Sequence, residues 1–237
     1  YALLTACCML MVAVTGPADA QDPEQVARRL VSSVQARGGL LVHVGCGHGK
    51  LTAELGGRGF VVQGLDTDRS DVRAAQQHIR SRGRYGDVSA RTWDGGRLPY
   101  VDNLVNVLVV EKPGDVSRRE MKRVLAPRGR LYLKTEDGWT GETRDWPAEL
   151  DEWTHYMHDP QGSFVSQDRR IGPPEGLRWT GGPRWARSHE HTAGLHAMVS
   201  ANGRVFHVMD EGPTESIQLP PEYMLTARDA FNGAVLW

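Results

Sequence analysis

The sequence predicts an α/β fold, a doubly wound and mainly parallel sheet, followed by a shorter all-β segment. Three observations carry this. Five short apolar runs, at 40–44, 59–66, 88–93, 104–110 and 130–134, are separated by helix-prone stretches, and strand–helix–strand repeats build parallel sheets through right-handed crossovers. The first run ends in Gly45, Gly47 and Gly49, where a chain leaving a sheet turns tightly and lets a ligand approach its backbone. From about Trp146 the texture changes: five of the seven tryptophans and six of the nine histidines fall there, with Gly-Pro pairs and no sustained helical period.

Composition sets the frame. A chain of 237 residues holds one large domain or two modest ones. With 40% apolar and 24% charged residues it is an ordinary globular protein. A net charge of -1 and no long basic run give no argument for nucleic acid as a partner. Cysteines stand only at 7, 8 and 46, which leaves Cys46 unpaired and excludes a disulfide framework. The apolar run from Tyr1 to Val14 is too short to span a bilayer and precedes Ala18-Asp19-Ala20, a small-x-small cleavage pattern. Residues 1–20 therefore read as the remains of a secretory signal, with export to the periplasm or cell envelope expected; the alternative is a buried N-terminal helix. Leu4-Thr5-Ala6-Cys7 has the form of a lipoprotein box, but the apolar core continues past Cys7.

Taken in order, Asp22-Pro23-Glu24-Gln25 reads as a helix start, with Asp22 as N-cap and Pro23 at the first helical position. Val26, Leu30, Val31 and Val34 keep the helical period until Gly38-Gly39 stop it. Leu40–Val44 suits a strand buried on both faces, and Lys50–Leu55 after the glycine turn is helix-prone. Strand, turn and helix thus follow in the order of a nucleotide-type site. Gly59–Asp66 is a second strand ending in a carboxylate. Asp66 stands 21 residues beyond Gly45, the distance at which a second parallel strand delivers an acid to a ribose diol. It equally suits the N-cap of the helix that starts near Ser70, and the two roles can coexist. A helix over 71–82 and a strand over 88–93 follow, then Asp94-Gly95-Gly96. The fourth strand, Leu104–Val110, runs into Glu111; a helix over about 117–125 and a fifth strand, Arg130–Lys134, complete the series. The first and fourth strands are expected side by side, because the crevice of such a sheet lies where the strand order reverses.

These residues resemble a family. Val44-Gly45-Cys46-Gly47-His48-Gly49 resembles motif I of class I S-adenosylmethionine-dependent methyltransferases, and Leu65-Asp66 resembles their acidic strand-two end. The stretch from Asp94 through Leu98-Pro99-Tyr100 to Asp102 is similar to the D-x-x-x-L-P-F/Y-x-D segment of the type-11 group. Arg119 to Leu131 is similar to that group's R-E-x-x-R-V-L-x-P-G-G-x-L run. The resemblance covers about residues 38–135. A dinucleotide fingerprint needs a third glycine where Lys50 stands, so the methyl-donor cofactor is preferred to NAD. The resemblance implies a Rossmann-like fold and a cofactor site made of Gly45, Cys46, Gly47, Gly49, Asp66, Asp94 and Gly95. The backbone of the turn would lie along the methionine part, Asp66 would take the ribose hydroxyls, and Asp94 with Gly95 would sit beside the adenine. Positioning does most of the work in methyl transfer from a sulfonium, so no catalytic residue is assigned. Glu111 stands where relatives place residues facing the methyl acceptor; the alternative is a solvated loop acid.

Two features depart from that family. A complete domain adds a sixth and seventh strand as an antiparallel hairpin, whereas 135–141 is polar and turn-rich, so the hairpin is expected to be missing. A secretory signal would also take the domain away from cytosolic S-adenosylmethionine. Both leave room for a degenerate domain that keeps the fold without the reaction.

In the C-terminal part, 199–208 reads as a hairpin about Asn202-Gly203. Ala227-x-Asp229-x-x-x-Gly233-x-x-x-Trp237 resembles the repeat of pyrroloquinoline-quinone (PQQ)-type β-propellers, and Glu152–Asp159 resembles the segment leading into such propellers in large exported planctomycete-type proteins. A propeller needs several blades, and one is visible, so the chain is expected to be a fragment of a longer one. His155, His158, Asp159, His189, Glu190 and His191 have spacings that could ligate a metal, but nothing fixes their mutual distance and no metal site is assigned. Trp179 and Trp185 are expected to pack within the blade. The expected organisation is a signal remnant at 1–20, a methyltransferase-like domain at 22–140 and the first part of a propeller at 146–237. Three functions follow: methyl transfer to an unidentified acceptor by a domain fused to a propeller; an inactive methyltransferase-like scaffold whose exported propeller makes protein or glycan contacts; and a quinoprotein dehydrogenase fragment, with PQQ only in a complete propeller.

Overall fold

In the computed structural model the described residues are 22–34, 36–170, 172–173, 176–183, 187, 194–216 and 218–237. The signal-like segment 1–20, Trp185 and the His189–His191 group lie outside them. Helix α1 (Pro23–Ser32) starts as its sequence dictates, Asp22 accepting the Glu24 N–H at 3.2 Å. Then β1 (Gly39–Val44), α2 (Lys50–Leu55), β2 (Phe60–Asp66), α3 (Arg69–Ser81) and β3 (Val88–Thr92) alternate, followed by β4 (Val105–Val110), α4 (Arg118–Val124), β5 (Leu125–Thr135) and β6 (Gly138–Thr143). The sheet order is β3-β2-β1-β4-β5-β6, with β1 and β4 adjacent and parallel as expected.

Both faces of the central strands are covered, which is why those strands are continuously apolar. Leu41, Val107, Val109 and Tyr132 face α1, α2 and α3, while Val42, Val44, Leu108, Val110 and Leu131 face Leu98 and the α4 residues Met121 and Val124. The Tyr132 hydroxyl donates to Leu30 O at 2.8 Å and ties α1 to β5.

One expectation is corrected. The polar stretch after Lys134 does form an antiparallel strand, β6, paired with β5 from Thr135↔Gly138 to Arg130↔Thr143, while among the described residues no seventh strand joins this sheet. The physical reason is a single anchor. Trp139 packs on the α1–α3 core and under the Lys134 ammonium, 5.9 Å from its ring, while Thr140, Gly141 and Thr143 of this edge strand stay exposed. Half of an edge strand reads as a loop because water satisfies it.

The C-terminal part described is one antiparallel sheet, β7 (Leu195–Ala201), β8 (Arg204–Asp210) and β9 (Tyr223–Asp229), in that order. Asn202 and Gly203 both have positive φ, the type I′ geometry that their identity predicts. After β9, Asp229 accepts the Phe231 and Asn232 N–H groups, and Trp179 covers Gly233 so closely that a Cβ there would lie 2.5 Å from the indole. Trp237 stays 60% exposed.

Asn106 is the buried side chain at the meeting of the two sheets, where Arg128 also bonds Asn202 and Asn232 also bonds Leu104 O. Asn106, 5% exposed in an otherwise apolar strand, accepts the Leu40 N–H (2.8 Å) and Asn232 Nδ2 (2.6 Å) on Oδ1. Its Nδ2 donates to Asp229 Oδ2 at 2.7 Å. Gly39, at φ +114°, lies so near that a Cβ would come 1.9 Å from Asn106 Oδ1. Burial raises the Asp229 carboxyl above its ordinary range even against these bonds. Asn106→Leu keeps the volume and strands the Leu40 donor and the Asp229 acceptor. It is expected to destabilise by about 2–4 kcal/mol, read from urea unfolding.

Candidate functional site

The glycine turn lies at the carboxyl end of β1, outside the adjacent ends of β1 and β4, where doubly wound sheets place their crevice. Gly45, Gly47 and Gly49 all have positive φ, which favours glycine at each. Two of them are also crowded. A Cβ on Gly45 would press on the backbone and Cβ of Lys112, and one on Gly49 on Ala75 of α3. Gly47 is different: nothing stands within 4 Å of its would-be Cβ, so its backbone faces open space. Cys46 turns inward against Gly64 and Thr52. Burial pushes its thiol up to about 12, the Asp66 carboxylate adding to the shift.

Asp66 is 7% exposed and clamps this turn: Oδ2 accepts the Gly47 N–H at 2.8 Å and Oδ1 the Asp68 N–H at 3.2 Å. It does not cap the following helix. Asp68 does, accepting the Ser70 hydroxyl and the Ser70 and Asp71 N–H groups on Oδ1, and those hydrogen bonds, the hydroxyl's foremost, hold its carboxyl below the ordinary range. Asp94 follows β3, exposed, its Oδ1 accepting the Gly96 N–H at 3.1 Å. Gly95, at φ +88°, is buried within reach of Thr67, which follows Asp66. The structure thus gathers Gly45, Cys46, Gly47, Gly49 and Asp66 at one turn and sets Asp94 and Gly95 along the same sheet edge.

The segments after Asp94 and in α4 hold the rim rather than the crevice. Arg123 donates to Tyr100 O, Leu98 O, Asp102 and Glu120, and Glu120 accepts the Leu98 N–H at 2.8 Å. The Tyr100 hydroxyl donates to Gln63 Oε1 at 2.6 Å, so the 95–102 loop is bolted to both α4 and β2.

Sequence reasoning missed His43. It is 1% exposed in β1, its Nδ1 paired with Thr52 Oγ1 at 2.9 Å and its Nε2 aimed at Glu111 Oε1 3.7 Å away. Lys134 Nζ donates to Glu111 Oε2 at 3.1 Å. Burial pushes the Glu111 carboxyl up, but His43 and Lys134 together outweigh it and leave the carboxyl below its ordinary range. Glu111 is therefore a held carboxylate, not a free loop acid. The signal was a histidine in the middle of an aliphatic strand, a polar group that must find a buried partner.

A second cluster stands apart. His158 bonds Asp151 through Nε2 at 2.8 Å and Ser163 and Asp159 through Nδ1, beneath the Trp153 ring. Among the described residues no three His, Cys, Asp or Glu side chains are grouped so as to hold a metal ion, and His155 pairs with Thr154 instead. The Gln167 N–H and His158 pull the Asp151 carboxyl down to about 2, and Ser163 does the same for Asp159. The Asp151 bond raises the His158 imidazole above its ordinary value.

Two measurements follow. Cys46 should resist alkylation in the folded protein at pH 8, by at least about a hundredfold relative to protein in urea, as peptide mass spectrometry reads directly. For His158 the folded value lies above the unfolded one, so its contribution to stability is complete below the unfolded value. It is lost as pH rises through the folded one. Protection factors over 151–167, with the intrinsic pH dependence of exchange divided out, should fall across that window in the wild type, and His158→Gln should abolish that fall.

Residues 42–133 match a family model described as a methyltransferase domain. The chain is 35% identical over 117 residues to the methyltransferase GfsG of Streptomyces halstedii, covering 46% of this chain and 41% of that one. It therefore spans about two-fifths of that curated relative. Among solved structures it is similar to a putative S-adenosyl-L-methionine-dependent methyltransferase from Methanococcus maripaludis, at 20% identity and a TM-score of 0.43, covering 47% of this chain and 54% of that one. It is also similar to geranyl diphosphate C-methyltransferase from Streptomyces coelicolor A3(2), solved with Mg2+, geranyl diphosphate and S-adenosyl-L-homocysteine, at 20% identity and a TM-score of 0.41, covering 46% and 44%. It is the stretch from β1 to β5, with its glycine turn, that is similar to the methyltransferase domain family.

Proposed function

We propose that the crevice above Gly45 binds S-adenosylmethionine, or its demethylated product, and that the domain transfers the methyl group to an acceptor still to be identified. The observation that carries this is the clamp of Asp66 on the Gly47 N–H at the β1–β4 switch point, inside the segment that matches the methyltransferase family. A carboxylate has about four lone-pair sites. Backbone donors take two of those on Asp66, and the remaining pairs suit a ribose diol. The open backbone at Gly47 suits close approach of the methionine part, and exposed Asp94 with the Gly95 backbone suits the adenine edge. When bound, the sulfonium supplies a methyl group already activated for displacement. What the chain adds is alignment and exclusion of water.

The same reading extends to the C-terminal sheet as the start of a PQQ-type propeller, on the strength of Ala227, Asp229, Gly233 and Trp237 and the turn they form. Protein or glycan contacts would fall to that part. Export remains part of the proposal; among the described residues no helix is long and apolar enough to cross a membrane.

Calorimetry with S-adenosylmethionine and S-adenosylhomocysteine tests it. Asp66→Ala should weaken binding about ten- to a hundredfold, as expected for lost hydrogen bonds to a charged group. Asp66→Asn, which keeps one acceptor oxygen, should fall between. No heat from the wild type at millimolar ligand would leave the scaffold reading standing instead.

A further inference from the structure

Three carboxylates border the glycine turn from three elements: Asp66 of β2, Asp71 of α3 and Glu111 after β4. Two of them are already engaged. Asp66 clamps the turn, and Asp71 lies 3.1 Å from His48 Nε2. Glu111 is held from behind. Its N–H donates to Val44 O at 2.9 Å, which fixes the residue at the exit of β1, directly before the Lys112 backbone that presses on Gly45. Its side chain keeps 23% of its surface exposed. Behind it lies His43, whose Nε2 has no hydrogen-bond partner among the described residues and points at Glu111 Oε1 from 3.7 Å. If the Thr52 hydroxyl donates to Nδ1, the proton of a neutral His43 sits on Nε2, facing that carboxylate. A buried donor with one acceptor in view is a costly arrangement unless the acceptor is held by it.

We infer that Glu111 supplies the counter-charge to the cationic methionine end of an S-adenosylmethionine-like ligand, and that His43 is the positioning residue that keeps its carboxylate aimed at the glycine turn. This rests on the crevice binding such a ligand. Lys134 fixes the second oxygen of Glu111, so that the carboxylate is braced from β1 and β5 at once. The end of β4 that carries Glu111 borders the glycine turn, and its side chain keeps part of its surface exposed. An ion pair there gains from partial exclusion of water.

The test is calorimetry of both S-adenosylmethionine and S-adenosylhomocysteine from about pH 3.5, below the ordinary carboxylate range, to about pH 8 on wild type, Glu111→Gln, His43→Leu and His43→Gln. The ammonium is common to both ligands, so Glu111→Gln should weaken both by about tenfold and remove the acid limb of the binding profile. His43→Leu keeps the volume and removes the donor. Burial of Glu111 is then less well opposed, its carboxyl protonates at higher pH, and the acid limb should move upward. His43→Gln returns an N–H near the Nε2 position and should move it back, which a purely structural role would not predict. Glu111→Gln binding both ligands like the wild type overturns the inference, as does a turnover defect without an affinity change. An unmoved acid limb in folded His43→Leu overturns the role of His43. Wild type that takes neither ligand overturns the cofactor reading itself and this inference with it; carbon NMR titration of the Glu111 carboxyl in wild type and His43→Leu still separates the two failures.

Discussion

The carboxyl edge of the sheet depends on one hydrogen bond, from the Gly47 N–H to Asp66 Oδ2. It joins the end of β2 to the turn that follows β1. With the Gly45 and Cys46 N–H groups both given to Leu65 O, the turn is tied to the neighbouring strand at three successive donors. A loop of glycines costs more conformational entropy to order than any other composition. Here that cost is offset by bonds made in place, so the backbone at Gly47 is presented open rather than left mobile. The Asp68 cap on α3 completes the arrangement, because it frees Asp66 from the helix it precedes.

One polar side chain interrupts each of the two central apolar strands, β1 and β4, at opposite ends of the sheet. Asn106 stands at the entry of β4 and spends its amide on Leu40, Asp229 and Asn232. His43 stands near the exit of β1 and faces Thr52 and Glu111. Each would be costly alone in that core. Asn106 is repaid by coupling the first sheet to the second, and His43 by holding a carboxylate beside the turn. Interior polarity in this protein thus marks places where the sheet is joined to something else.

The fold was legible to the extent that its causes are local. Asp22-Pro23, the aliphatic run at 40–44, the glycines at 45, 47 and 49 and the Asn202-Gly203 turn each act through neighbours in sequence, and each appears where its chemistry predicts. β6 was not legible, because what makes it a strand is Trp139 lying on a core assembled from α1 to α3. The candidate site divides the same way. The turn and the acid at the end of β2 follow from spacing, whereas the choice of Asp68 over Asp66 as helix cap depends on how β2 lies against β1.

By itself, then, the amino-acid order determined the five parallel strands, the helices between them, the Asn202-Gly203 turn and the strand end that carries the glycines, since hydrophobic period, caps and positive-φ residues act within a few positions. Tertiary structure alone decided that His43 meets Glu111 and that Asn106 meets Asp229, pairs 68 and 123 residues apart in the chain. A buried polar group states only that it needs a partner. Which partner it finds is settled by the register of strands that meet when the sheet closes, and no local pattern encodes that register.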